Sequence, residues 1–373
     1  MENGIRNARL EEFEPLMRLL NWCFGFSLGA FEHYYPNIYR PTPEFCASAY
    51  VVEDGGELVS HVGLYPLEIV THGITLPMGG IGAVATHPKA RGKGHMSELL
   101  YHVIDEMRAR GYPLSWLGGD RQRYKTFGWE RAGMTYELLF SRRSLDRAGV
   151  AAVPIEAQMP EDAEDVVARW QSLAACHAHR PNLGLQLRRD GMRVWTAERG
   201  YAIAHGHSYG SLSIAELVSA SGQEAGIIRA VLEWTDRGDI SWELPASDTA
   251  RIARLMPYAS GWRAGNWQMY RIVDLAGLLA RMKPILSRRA ATVRDLELSI
   301  VIEEHDRLDE ATLAVRDGDV AISPRRHAER TVTWSSVEAA RVLLGGPPIA
   351  IEVPVELAAL LPLPVFLPVL DHV

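Results

Sequence analysis

The sequence predicts an α/β protein, helices on mixed (α+β) sheets, arranged as three consecutive units over 1–150, 151–287 and 288–373. Before residue 150 a helical stripe is followed by strand runs and then by strand, loop and helix in immediate succession. After a stretch rich in Ala, Pro and Glu over 148–165, that order partly repeats. Beyond Lys283-Pro284 it gives way to strands joined by a tight hairpin. At 373 residues, 47% hydrophobic and 23% charged, the chain is long enough for two or three packed domains and excludes a disordered or fibrous protein.

Leu10, Phe13, Leu16, Met17, Leu20 and Phe24 form one apolar face of a first amphipathic helix. Strand runs over 49–53, 58–70 and 74–78, separated by Asp54-Gly55-Gly56 and His72-Gly73, read as an antiparallel meander. A fourth strand over 81–86 leads into a basic loop over 88–94 and a helix marked by Leu99, Leu100, Val103, Ile104 and Met107 that ends at Gly111. A strand over 113–117, a short helix or turn over 121–127 and a closing strand over 136–142 complete the unit. In the second unit strands fall near 201–204, 212–219, 240–244 and 269–274, with a helix over 224–234. The basic loop does not repeat there: only Ala220-Ser221-Gly222-Gln223 precedes the helix. The third unit has strands at 296–302, 311–316 and 320–323 with Asp317-Gly318-Asp319 as a hairpin turn. A helix capped by Ser335 or Ser336 follows, and Gly345-Gly346 ends it before the prolyl tail.

Lys plus Arg number 39 against 46 Asp plus Glu, a net charge of −7, which argues against nucleic-acid or anionic-membrane partners and makes any anion site local. Cys23, Cys46 and Cys176 fit neither a disulfide framework nor a metal ligand set, so a reducing compartment and no metal are expected. Met1-Glu2-Asn3 and the nearby Glu11, Glu12 and Glu14 show no secretory leader, hence a cytoplasmic expectation. The apolar run 358–370 is interrupted by Pro362, Pro364 and Pro368 and is too short to span a bilayer.

Within His87-Pro88-Lys89-Ala90-Arg91-Gly92-Lys93-Gly94-His95-Met96, backbone N–H groups open a helix whose dipole adds partial positive charge, an arrangement that suits a phosphate. Gly92 and Gly94 allow close backbone approach, and Lys89, Arg91 and Lys93 concentrate charge. The bland alternative is an ordinary strand-to-helix connection with solvated cations. A Walker A run is lacking. Gly92-x-Gly94-x-x-Ser97 nearly matches a dinucleotide fingerprint with Asp120 downstream, so an NAD-type dinucleotide-binding protein stands as the alternative. Against it, four residues intervene between strand and first glycine, and a meander replaces a βαβ opening.

Arg91-Gly92-Lys93-Gly94-His95-Met96 resembles the pyrophosphate loop, Arg/Gln-x-x-Gly-x-Gly/Ala, of the Gcn5-related N-acetyltransferases (GNATs), with Met96 in place of the small last residue. The surrounding element order matches that family. Tyr124-Lys125-Thr126-Phe127-Gly128-Trp129 is similar to the Tyr-x-x-Phe-Gly-Tyr/Trp segment of the branch related to the enhanced intracellular survival (Eis) protein. That branch joins a GNAT domain to a second, degenerate GNAT-like copy and a C-terminal domain resembling sterol carrier proteins, in agreement with the three units.

The resemblance implies acetyl-CoA as co-substrate, no metal, and transfer of the acetyl group to a primary amine. It implies that backbone groups of Val84, Ala85 and Thr86 meet the pantetheine arm and thioester. It places the pyrophosphate on the loop Arg91, Gly92, Lys93, Gly94, His95, Met96 and Ser97, with further cofactor contacts at Gly119 and Asp120. Tyr124 matches the general acid, and the C-terminal α-carboxylate, here that of Val373, the general base, with Asp371 and His372 as local alternatives. Read without the family, Tyr124 and Phe127 are core packing on one helix face, Val84 a buried strand residue, and Arg121, Arg123 and Lys125 a solvated face. Relatives acetylate polyamine- or aminoglycoside-like amines or protein lysines and form homo-oligomers, often hexamers. The third unit either binds a lipid, as a carrier module would, or only positions the tail.

Overall fold

The computed structural model describes residues 4–206, 212–304, 307–348 and 350–373; Met1 to Asn3, read above for a leader, lie outside them. The α/β class holds: the described strands form three sheets with helices packed on them. The first sheet has the order Arg6–Asn7, Ala49–Asp54, Glu57–Thr71, Ile74–Thr86, Leu114–Leu117, Met269–Ile272, Glu130–Arg131, with Cys176–Ala178 added beside Glu57–Thr71. The second runs Gly261–Gly265, Thr135–Ser141, Asp239–Pro245, Leu212–Ser219, Gly200–Gly206, Met192–Ala197, Glu156–Gln158. The third is Asp319–Ser323, Leu308–Arg316, Leu296–Glu303, Thr331–Ser335.

Two strands trade places relative to the sequence reading. Thr135–Ser141, expected to close the first sheet, pairs with Asp239–Pro245 and Gly261–Gly265 in the second. Met269–Ile272, read with the second unit, lies between Leu114–Leu117 and Glu130–Arg131 in the first. Every residue of Met269–Ile272 is buried, which suits a strand covered on both faces. The expected strands at 74–78 and 81–86 are a single strand, Ile74–Thr86, because Gly79 and Gly80 keep the extended path while giving room to neighbours. A Cβ on Gly79 would lie 2.3 Å from Met107 Sδ.

The first helix, Phe13–Phe24, buries Phe13, Leu16, Met17, Leu19 and Leu20 and stops at Gly25, whose φ is +70°. Its expected stripe is shorter at both ends: Leu10 sits in a preceding 3-10 turn and Phe24 turns outward, and both are exposed. The break expected at Lys283-Pro284 does not interrupt Leu275–Ala290. Pro284 is exposed while Leu278, Leu279, Met282, Ile285 and Leu286 are buried, so packing of that face offsets a proline cost of about 3 kcal/mol. This helix joins the first and third sheets in one core with Leu76, Met78, Trp116, Leu298, Ile300 and Leu313. Ser335 caps Ser336–Leu344 in a reciprocal box with Glu338, and Gly345 ends it. Among the described residues no helix is long and apolar enough to cross a membrane.

Candidate functional site

Ile74–Thr86 pairs in parallel with Leu114–Leu117 from Met78 to Ile81 and no further, while its other edge stays paired with Glu57–Thr71 as far as Thr86. The register on that second edge shifts between His61 and Gly63, where Ala83 takes a φ of +47°. Beyond Ile81 the two parallel strands therefore separate, and the edge of 82–86 on that side has no strand partner among the described residues. His61 fixes the bulge: Nδ1 donates to the Ala83 carbonyl at 2.8 Å, and full burial lowers the imidazole pKa to about 4.

The loop follows at the mouth of this gap. His87 precedes a 3-10 turn, Pro88–Ala90, and Gly92 and Gly94 take φ of +80° and +89° before the helix His95–Ala109 begins. Gly94 is the N-cap and carries no side chain to cap it; Ser97 and Glu98 N–H bond back to its carbonyl at 2.9 and 3.1 Å, so the amides before them lack intrahelical acceptors. A Cβ at Gly92 would meet open space. Lys89, Arg91 and Lys93 are exposed around these amides; Lys93 Nζ reaches Asp54 at 2.7 Å and Arg91 Nε donates to Thr86 O at 3.3 Å. His95 is buried with neither ring nitrogen hydrogen-bonded, and Met96 packs partly buried against the first core. Five consecutive amides, two open glycines and three cations fit a pyrophosphate.

On the opposite side of the gap Gly118, Gly119 and Asp120 lead into the short helix Arg121–Tyr124. Asp120 caps it, Oδ1 accepting from Gln122 N–H at 2.9 Å, and Gly119, with φ of +142°, lies so near that a Cβ there would sit 3.0 Å from Tyr124 Cε2. Burial raises the Tyr124 phenol pKa, and neighbouring Arg123 partly offsets it. The basic residues here are not one solvated face: Arg121 grips fully buried Glu130 through both carboxylate oxygens, whereas exposed Arg123 lines the cavity.

A cavity of about 650 Å³ joins these parts, walled by Ile81–Val84, Gly118–Asp120, Tyr124, a cluster of aromatic rings between Phe24 and Tyr39, and Val373. The tail reaches it along a fixed path. Leu363 N–H bonds Leu343 O at 2.7 Å, Thr71 Oγ1 donates to Pro364 O at 3.1 Å, and Gln268 brackets Leu367 on both sides at 2.8 and 3.1 Å. Asp371 is buried with Arg180 on both oxygens at 2.7 Å and Gln186 at 2.7 Å; Arg180 also holds Glu216. His372 packs on Trp116 with centroids 4.6 Å apart and the rings tilted by 35°, its Nε2 lies 3.3 Å from Leu367 O, and desolvation lowers its pKa to about 4. Arg189 Nη2 donates to the His372 carbonyl at 2.9 Å. Beyond it the carboxyl carbon of Val373 lies 3.0 Å from where a Cβ on Gly82 would stand.

The structure thus brings Val84, Gly119, Asp120, Tyr124 and Val373 to one cavity and places Ala85, Thr86 and the loop Arg91 to Ser97 on the continuation of its strand. Sequence reasoning missed Arg180, Arg189, the strand glycines Gly80 and Gly82, and the aromatic wall. Three glycines in Met78-Gly79-Gly80-Ile81-Gly82 already signal a close approach of backbone, and six aromatic residues between Phe24 and Tyr39 signal an apolar surface. Among the described residues no doubly wound sheet supports the dinucleotide alternative: in the first sheet only Ile74–Thr86 and Leu114–Leu117 run parallel. Among the described residues no cluster of His, Cys, Asp and Glu could hold a metal ion.

Residues 4–132 match the model of the acetyltransferase (GNAT) domain family. Over the whole chain the fold resembles a GCN5-related N-acetyltransferase from Kribbella flavida, with 21% identity, a TM-score of 0.70, and 92% of this chain and 90% of that one covered. A GCN5-related N-acetyltransferase from Anabaena variabilis has 18% identity and a TM-score of 0.67 over 92% and 90% of the two chains. Eis1 from Mycobacterium abscessus has 17% identity and a TM-score of 0.62 over the same shares. No curated protein matches the sequence.

Proposed function

We propose that this chain, an N-acetyltransferase whose residues 4–132 form a GNAT domain, acetylates a primary amine with the Val373 carboxylate as general base and Tyr124 as general acid. The observation that carries the reading is the seating of the chain's last carboxylate against Gly82, in the cavity that Tyr124 lines. Acetyl-CoA supplies the acetyl group as a thioester. The amides of Gly92 to Met96, with Lys89, Arg91 and Lys93, would hold its pyrophosphate, and the free edge of 82–86 would hold the pantetheine arm. Val373 takes the proton that the amine sheds as its nitrogen bonds the acetyl carbon. Tyr124 gives a proton to sulfur as the carbon–sulfur bond breaks, leaving an amide and a thiol. A phenol kept protonated by burial suits that donation.

The two local alternatives for the base are disfavoured by their surroundings. Both Asp371 oxygens are engaged by Arg180. His372 points Nε2 at a carbonyl and, with a pKa of about 4, binds a proton weakly at neutral pH.

We read 151–287 as a degenerate copy of the GNAT domain. Leu212–Ser219, the helix Glu224–Trp234 and the parallel strand Asp239–Pro245 repeat the strand, helix and parallel strand of the first site, with Ala220-Ser221-Gly222-Gln223 in place of the cationic loop. We read 288–373 as a support that delivers the tail.

Deleting Val373 alone moves the terminal carboxylate back by about 3.3 Å without touching the Asp371 ion pairs. Turnover, followed as thiol release, is expected to fall at least a hundredfold, and acetyl-CoA affinity by calorimetry to stay within twofold. Adding one glycine after Val373 converts that carboxylate to an amide and is expected to do the same. Full turnover in both variants removes the tail from the mechanism.

A further inference from the structure

We infer that a second cavity, where the three units meet, binds an aliphatic chain that ends in an anion, the chemistry of a fatty acid or an alkyl phosphate. It measures about 690 Å³, within the range of small-molecule sites, and shares no lining residue with the cavity that Tyr124 and Val373 border. Its wall is aliphatic. Met134, Ile285, Leu344, Leu363 and Val365 supply it, and all but Met134 are buried. Among the described residues the only aromatic ring in the lining is that of His72. An alkyl chain gains contact along such a wall, whereas a flat aromatic body finds little to stack on. The occupant would also pack against Pro362 to Val365, on the path of the tail toward Val373.

The charged part of the lining is cationic and uncompensated. Arg288 and Arg289 come from the last turn of the helix Leu275–Ala290, and among the described residues no carboxylate lines the cavity. Arg288 is exposed and makes no hydrogen bond or ion pair with those residues. Arg289 Nη1 donates to the carbonyls of Leu360 and Pro362 at 2.6 and 2.7 Å, neutral acceptors that leave its charge unbalanced. Burial and the like charge of Arg288 both lower the Arg289 pKa. The helix C-terminus supplies only about half a negative charge against these two positive ones. His72 joins them from the turn between Glu57–Thr71 and Ile74–Thr86. Its φ is +48°, a region that costs a non-glycine residue energy, and its Nε2 is buried without a hydrogen-bond partner. Asp248, which opposes the guanidiniums at His72, is engaged by Arg251 at 3.3 Å and caps the helix Thr249–Leu255. Two guanidiniums without a carboxylate of their own suit the oxygens of an anionic head, and His72 Nε2 would add a further contact.

The test titrates the full chain calorimetrically with octanoate, octyl phosphate, 1-octanol, acetate and inorganic phosphate. Octanoate and octyl phosphate are each expected to bind one to one, at least tenfold tighter than 1-octanol, which lacks the charge, and than acetate or phosphate, which lack the chain. The tighter of the two identifies the head. Arg288→Glu, at an exposed residue without partners, is expected to weaken both at least tenfold with the thermal midpoint unchanged. Thr249→Trp, which puts an indole into the space from an exposed position, is expected to abolish both; if it melts early, Arg288→Glu decides alone. Phe26→Ala, in the cavity that Tyr124 borders, is expected to change neither affinity by more than twofold. Equally tight binding of 1-octanol, or affinities unaltered by Arg288→Glu, overturn the inference. A loss confined to Phe26→Ala overturns it too, by placing the chain in the other cavity.

Discussion

A methyl group at Gly82 would stand 3.0 Å from the Val373 carboxyl carbon and 3.1 Å from Tyr65 Cε2, closer than packed atoms tolerate without moving. Tyr65 is held inside a buried aromatic cluster, whereas Val373 is only partly buried, so the tail is what gives way. Gly82→Ala is therefore expected to lower kcat ten- to a hundredfold and to leave the calorimetric Kd for acetyl-CoA within twofold. His61 supplies a stability test. Its pKa drops from the ordinary 6.5 to about 4 on folding, so the unfolded chain takes up the proton first as pH falls. The stabilisation is complete above pH 6.5 and is lost as pH falls toward 4, by roughly 3 kcal/mol over that window at 1.36 kcal/mol per unit. His61→Asn is expected to flatten the pH dependence of urea unfolding in that window; an unchanged slope means another group carries it.

Gly94 shows how an element sets up chemistry that one residue cannot. As N-cap with φ of +89° it lets the chain turn from loop to helix with its amides open, and a Cβ there would meet only Glu98 Oε1 at 3.7 Å. Gly94→Ala has room but carries backbone strain of about 1–2 kcal/mol in the loop, and is expected to weaken acetyl-CoA binding about tenfold. Gly94→Glu adds an anion at the proposed pyrophosphate site and is expected to abolish detectable binding, while an unaltered Kd in both would detach the loop from the cofactor. This element was legible in the sequence because its signals are local: glycine spacing, a cationic run and a 3.6-residue apolar period span a few consecutive residues. The tail was not. Asp371 meets Arg180, and Leu367 meets Gln268, across nearly a hundred residues or more, and no local pattern encodes such pairs. The resemblance pointed to Val373 as the base, but what holds it there emerges only from the packed chain.

At the scale of the molecule the same limit decides which pieces can fold alone. Local periodicity located the longer strands of the first two units but not Met192–Ala197, Gly261–Gly265 or the two- and three-residue strands, and it assigned Thr135–Ser141 and Met269–Ile272 to the sheets nearest in sequence, because periodicity reports which face is buried and not against which partner. The exchange ties the units together. Met269 and Val273 lie in the core that contains Tyr124, Phe127 and Trp129, and Tyr270 and Ile272 lie in the core shared with the third sheet. From the same strand Arg271 donates to the Phe127 carbonyl and pairs with Glu304 at 2.5 Å, and Arg108 of the helix behind the cationic loop also pairs with Glu304. A fragment of residues 1–150 lacks the strand that covers Leu114–Leu117 and exposes its edge, and it retains Thr135–Ser141 without its second-sheet partners. It is expected to show no cooperative thermal transition and no acetyl-CoA binding, although it contains the whole cationic loop and Tyr124. Supplying 151–373 as a separate chain and refolding the two together is expected to restore binding, since Met269–Ile272 is then available for the first sheet. A fragment that melts cooperatively and binds acetyl-CoA unaided would show that the exchanged strand adds little to the site, and that the first unit stands independently of the two that follow it.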